Sequence, residues 1–140
     1  MISHYNAIPN ILAHVAYDPV ARGQKGVKTE VVLGLVPMSH LYVLLVVSHT
    51  ATWRGDEIIV LPGFAVVSFL NAIQQFRIEH LLVVPPMLIT ILQKKELCAS
   101  YDLSSVRFVF SGAAPLGEET ITDLAKTYPK WQVGQAYGMT

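Results

Sequence analysis

The chain has 140 residues, 52% of them hydrophobic and 14% charged, enough apolar side chains to bury the core of one domain and too few charges for a disordered segment. Ten Lys plus Arg balance ten Asp plus Glu, which excludes the basic footprint of a nucleic-acid binder. The single cysteine, Cys98, excludes an internal disulfide, and the start Met1-Ile2-Ser3-His4-Tyr5-Asn6 lacks the basic and apolar parts of a secretion signal, so an intracellular, reducing compartment is expected.

In chain order, the pattern predicts a helix over about Asn6 to Tyr17 and a polar loop from Asp18 to Thr29 holding Gly23 and Gly26. The stretch from Val31 to Val47 carries no formal charge in 17 residues, close to the roughly 20 that a membrane-spanning helix needs. The alternative reading is a buried strand from Val31 to Val36, ending near Pro37, and a buried helix from Leu41 to Arg54 stopped by Gly55. The β-branched start and the central proline favour this second reading. A strand at Glu57 to Leu61 follows, then a helix from about Ala65 to Arg77 with Val66, Phe69, Leu70, Ile73 and Phe76 on one face. Leu81 to Val84 reads as the third strand, stopped by Pro85-Pro86, with a helix from Met87 to about Leu97 carrying Leu88, Ile91 and Leu92 on one side. The last units are a strand at Val106 to Phe110, a helix that aligns Ile121, Leu124, Ala125 and Tyr128, and a strand at Trp131 to Gln135. Apolar strands alternating with helices imply an α/β fold, a parallel sheet with helices on both faces.

The side chains offer little catalytic patterning. The histidines His4, His14, His40, His49 and His80 form no i, i+4 pair and lie near no cysteine pair, so no metal site is indicated. The Ser-His neighbours at Ser3, Ser39 and Ser48 lack the strained serine elbow of a hydrolase. The one phosphate-loop candidate, Gly23 to Thr29, lacks the required spacing and reads as a solvated loop.

Two glycine turns stand out. Ser111-Gly112-Ala113-Ala114-Pro115 and Gln135-Ala136-Tyr137-Gly138-Met139-Thr140 each follow a strand-like run, and the carboxyl ends of parallel strands are where ligands bind in such sheets. Together with Val36-Pro37-Met38-Ser39-His40-Leu41-Tyr42, Val83-Val84-Pro85-Pro86 and Tyr101-Asp102-Leu103-Ser104-Ser105, in this order, they resemble the acyl-adenylate-forming (AMP-binding) superfamily, most nearly 4-coumarate:CoA ligase and related acyl-CoA synthetases.

The resemblance implies that residues 1–140 are a partial AMP-binding domain, an internal fragment of the large N-terminal domain. The complete enzyme would activate an aryl or fatty acid with ATP and Mg2+ as an acyl-adenylate and pass it to coenzyme A. It implies nucleotide contacts at Gly112, Ala113, Ala114, Pro115, Gln135, Tyr137, Gly138, Met139 and Thr140, with Tyr137 stacking on adenine and the Thr140 hydroxyl meeting the α-phosphate. It also implies an acyl pocket at His40, Tyr42, Ala114 and Ala136, no catalytic side chain and no metal ligand in this stretch, and a turn at Tyr101 to Ser105. The partners implied are a carboxylic acid, ATP and coenzyme A, without nucleic acid or a membrane span, in the cytoplasm or peroxisome. Missing are the family's upstream phosphate loop, the glutamate that follows the last motif, the ribose-binding aspartate and the C-terminal domain with its lysine, so the chain alone is expected to be inactive. Gly63 stands where relatives often carry lysine, and Ala136 where glycine is usual. A catalytically inactive α/β interaction module on the same sheet is the alternative.

Overall fold

The structure, a computed structural model, describes residues 3–24 and 26–138, the side chains of 17–21 and 24 excepted. The elements follow in the order α1 (His4–Gln24), β1 (Val31–Gly34), a π-helix π1 (Val43–Ala51) running into α2 (Thr52–Arg54), β2 (Glu57–Val60), α3 (Val66–Phe76), β3 (His80–Val83), α4 (Pro85–Gln93), α5 (Lys95–Cys98), β4 (Phe108–Ser111), α6 (Glu118–Thr127) and β5 (Gln132–Gln135). The strands form one parallel sheet in the order β2-β1-β3-β4-β5.

Strand alternation sorts the apolar side chains onto two faces. Leu33, Leu81, Val83 and Val109 point one way and pack with Phe69, Leu70 and Ile73 of α3, Leu88 and Ile91 of α4 and Leu124 of α6 into the larger core. Each of these side chains fully buried is worth about 2 kcal/mol. Val32 and Leu82 point the other way, onto Val43, Val47 and Ala51 of π1, in a smaller core. Helices therefore cover both faces. On the π1 side the cover thins toward β4 and β5, where Phe108, Phe110 and Gly134 are only half-buried.

The Val31 to Val47 stretch is divided between β1 and π1, and no helix among the described residues is long and apolar enough to cross a membrane. Four expectations need revision. α1 runs on to Gln24, through much of the expected polar loop. Its Arg22 is held 6% exposed by carboxylates beyond the helix end, an anchor that periodicity cannot show. The expected α-helix from Leu41 winds as a π-helix between Val43 and Ala51. There the His49 Nδ1–H donates to the Leu44 carbonyl at 2.6 Å and the Thr50 hydroxyl to the Leu45 carbonyl at 2.9 Å, each five residues back, the spacing of the wider helix. Pro85 and Pro86 do more than end a strand, since they form the first turn of α4, where a missing N–H costs nothing. Ala125 is exposed although its helical neighbour Leu124 is buried. Gly55 ends α2 at φ 73°, as a C-terminal glycine should. Asp102 accepts the Ser104 N–H at 2.9 Å and turns residues 101–105.

Candidate functional site

The two glycine turns leave adjacent strands. Ser111 pairs with Gln135 in the β4–β5 register, and one further bond, Ala136 N–H to the Ser111 carbonyl at 2.8 Å, carries the pairing past the strand ends. On its other side Gly112 donates to the Val83 carbonyl of β3 at 3.3 Å. Gly112 is buried against Ala136, and a β-carbon built on it would lie 3.6 Å from the Ala136 Cβ. Beyond Gly112 the chain bulges outward. Ala113 takes a left-handed φ of 70°, uncommon for a residue with a β-carbon, and Ala113, Ala114 and Pro115 are exposed. The Gln135 Oε1 accepts the Leu116 N–H at 3.0 Å and so bridges the second turn to the first.

On the π1 face, the Tyr42 ring stacks on Phe110 with centroids 6.0 Å apart and planes 16° off parallel. Phe110 stacks in turn on Phe108 at 5.6 Å. The Tyr42 hydroxyl is buried and finds no hydrogen-bond partner, and its burial pushes the phenol pKa up. His40 is exposed, and its Nδ1 accepts the Tyr42 N–H at 3.3 Å. An aromatic shelf of Tyr42, Phe110 and Phe108 thus lies on this face of the sheet, with Phe110 and Phe108 packed against Gly134.

Of the residues singled out from sequence, Gly112, Ala113, Ala114, Pro115, Gln135 and Ala136 come together at the two strand ends, and Tyr42 joins them through Phe110. Tyr137 is 90% exposed and Gly138 is exposed, just beyond β5. Met139 and Thr140 lie outside the described residues. Phe108, Phe110 and Gly134 were missed. The clue was present: phenylalanines two apart on one strand share a face, and a glycine inside a strand marks close approach. Between 111 and 117, and between 135 and 138, no side chain is a carboxylate, an imidazole or an amine. The arrangement can hold and orient a ligand against small residues and backbone. Among the described residues no cluster of His, Cys, Asp and Glu could hold a metal ion.

A second set of polar groups, invisible in the sequence, gathers at the opposite edge of the sheet. Arg22 binds both oxygens of Asp56, at 2.8 and 3.0 Å, and also Glu30. Asp56 further accepts from Arg54 Nε and the Glu30 N–H, both at 2.9 Å. Arg107 joins Glu30 at 2.6 Å to Glu79 at 3.1 Å, and Glu79 accepts the Val31 N–H at 3.1 Å. His80 Nδ1 stands 3.5 Å from Glu30. Burial pushes the Glu30 pKa up, but His80, Arg22 and Arg107 outweigh it and hold the carboxyl at about 2. Asp56 is likewise raised by burial and lowered more by Arg22, the Glu30 N–H and Arg54, so it ends below its ordinary value. A groove of about 310 Å3 beside this cluster, lined in part by Val15, Lys28 and Trp53, lies away from the turns.

Comparison with known proteins follows the same lines. A family model described as AMP-binding enzyme matches residues 1–140. The acyl-CoA ligase lcsD of Purpureocillium lilacinum is 41% identical over 140 residues, covering 100% of this chain and 36% of the relative. The 4-coumarate:CoA ligase 3 of Arabidopsis thaliana is 40% identical over 111 residues, covering 79% of this chain and 20% of the relative. Among solved structures, apo MatB from Rhodopseudomonas palustris superposes with a TM-score of 0.81 at 27% identity, over 100% of this chain and 26% of that one. The chain thus spans between a fifth and about a third of these proteins' length.

Proposed function

Since the chain belongs to the AMP-binding enzyme family, we propose that it supplies the nucleotide- and acyl-facing strand ends of an ATP-dependent carboxylate:CoA ligase acting on an aryl or fatty acid. In that reaction a carboxylate oxygen attacks the α-phosphorus of ATP and pyrophosphate leaves. The thiol sulfur of coenzyme A then attacks the acyl carbon, and AMP leaves. The observation that supports the reading is the side-by-side placement of two small-residue turns at the carboxyl ends of β4 and β5, where open parallel sheets bind nucleotides.

In this reading Gly112 to Pro115, with Gln135, Tyr137 and Gly138, flank the adenosine, and Met139 and Thr140 complete the nucleotide contacts. His40, Tyr42, Ala114 and Ala136 border the acyl group, with Phe110 as its floor. Mg2+ would screen the phosphate charge in the complete enzyme. The residues described here form no site for it, so no step through the metal is assigned to this chain. An intracellular setting, cytoplasmic or peroxisomal, suits a ligase that consumes ATP and coenzyme A.

Photolabelling with 8-azido-ATP tests the placement directly. Cross-linked peptides should map to residues 112–117 and 135–138. Labelling confined to the Trp53 groove at the amino edge of the sheet would overturn it.

A further inference from the structure

Gln135 has a side chain long enough to reach a ligand, yet its Oε1 is committed to the Leu116 N–H at 3.0 Å. Leu116 itself is 5% exposed and anchors the far end of the first turn. The near end is fixed at Gly112, which donates to Val83 of β3. Between these two anchors lie only Ala113, Ala114 and Pro115, all exposed, with Ala113 held at φ 70°. A three-residue span with one unfavourable backbone angle keeps its shape only while both anchors hold.

We infer that Gln135 is a positioning residue: by holding Leu116, its carboxamide sets how far Ala113, Ala114 and Pro115 stand from the end of β5, and so the gap between the two turns. The inference rests on the proposed nucleotide site and alters one part of it. Contact with the adenosine falls to the backbone of the first turn and to Tyr137, while the Gln135 side chain acts on the ligand only through Leu116.

The test uses the full 140-residue chain as wild type, Gln135→Ala and Gln135→Glu, with exchange of the Leu116 amide followed by NMR and adenosine as the probe. Adenosine is uncharged, so the carboxylate of the Glu variant does not repel it. Gln135→Ala should speed Leu116 exchange and weaken adenosine binding by roughly three- to tenfold, the scale of one lost hydrogen bond. Gln135→Glu should restore both, since a carboxylate oxygen accepts the same N–H. Unchanged Leu116 exchange in Gln135→Ala overturns the inference. So does a Glu variant that protects Leu116 yet binds adenosine as poorly as Ala, because the amide would then be a direct ligand contact. If the wild type binds no adenosine, the nucleotide reading of the site fails, and the exchange comparison alone still decides the role of Gln135.

Discussion

The ring of Phe110 fills the space in which a side chain at residue 134 would sit: a β-carbon built on Gly134 would lie 2.9 Å from Cδ2 and 3.0 Å from Cε2 of Phe110, with Phe108 Cζ at 3.2 Å. Gly134→Ala should therefore cost about 1–3 kcal/mol through overpacking. Chemical denaturation of Gly134→Ala, Phe110→Leu and the double variant checks this. The double variant should recover part of the loss, whereas strictly additive effects would show that the two residues do not share that volume.

Tyr42 separates the contribution of its ring from that of its hydroxyl. The ring stacks on Phe110 while the hydroxyl is buried and unpaired. Tyr42→Phe should leave stability unchanged or raise it slightly, since it removes an unsatisfied polar group. Tyr42→Ala should cost about 3 kcal/mol as the stack and its burial disappear. A Phe variant destabilised by more than about 1 kcal/mol would mean that the hydroxyl is bonded after all.

Acid sensitivity should trace to the amino-edge cluster. Glu30 has an ordinary pKa of 4.5 and is held at about 2 in the fold, and Asp56 is also depressed. A depressed carboxyl contributes stability that is complete above its unfolded pKa and is lost as pH falls through the folded one. Melting temperature should hold near neutrality, then fall steeply between about pH 5 and pH 2. Glu30→Gln should be less stable at pH 7, on the order of 2 kcal/mol, and should show a shallower acid limb. An acid limb identical to wild type would place the sensitivity elsewhere.

Tyr137, being 90% exposed, has little to lose in the fold. Tyr137→Ala should shift unfolding by no more than about 0.5 kcal/mol. If the ring stacks on adenine, the same change should weaken adenosine binding by roughly 1–3 kcal/mol. Calorimetric titration and thermal melts on one sample separate the two. A drop in melting temperature with intact affinity would return the tyrosine to a structural role.

The parallel sheet and the turns at its carboxyl edge were legible in the sequence because alternating strand and helix patterns, ended by glycine or proline, encode them locally. The same pattern places Gly112, Ala113, Ala114, Pro115 and Ala136 in those turns, while the ligand contacts expected of them come from the family resemblance alone. The job of the Gln135 side chain could not be named, because it depends on which amide lies 3.0 Å away, and that is set by the register of β4 against β5. π1 was hidden for a related reason. Its apolar residues suit an α-helix equally well, and the wider winding is a property of the folded backbone that the side-chain pattern does not encode. The amino-edge cluster escaped altogether, since its members look like ordinary surface charges until the strands bring them together.

That cluster also bears on the order of assembly. Arg107 and Glu30 are 77 residues apart in sequence, and Arg22 and Asp56 are 34 apart. Arg107 and Glu30 meet only once β1, β3 and β4 have aligned, and Arg22 and Asp56 only once the end of α1 has docked beside the start of β2, steps that have already met the entropy of closing long loops. Their interactions should therefore form on the native side of the main barrier. Stopped-flow measurements on Glu30→Gln and Arg107→Met should show faster unfolding with nearly wild-type refolding. The ion cluster would then act as a latch that slows escape from the native state without guiding the chain toward it.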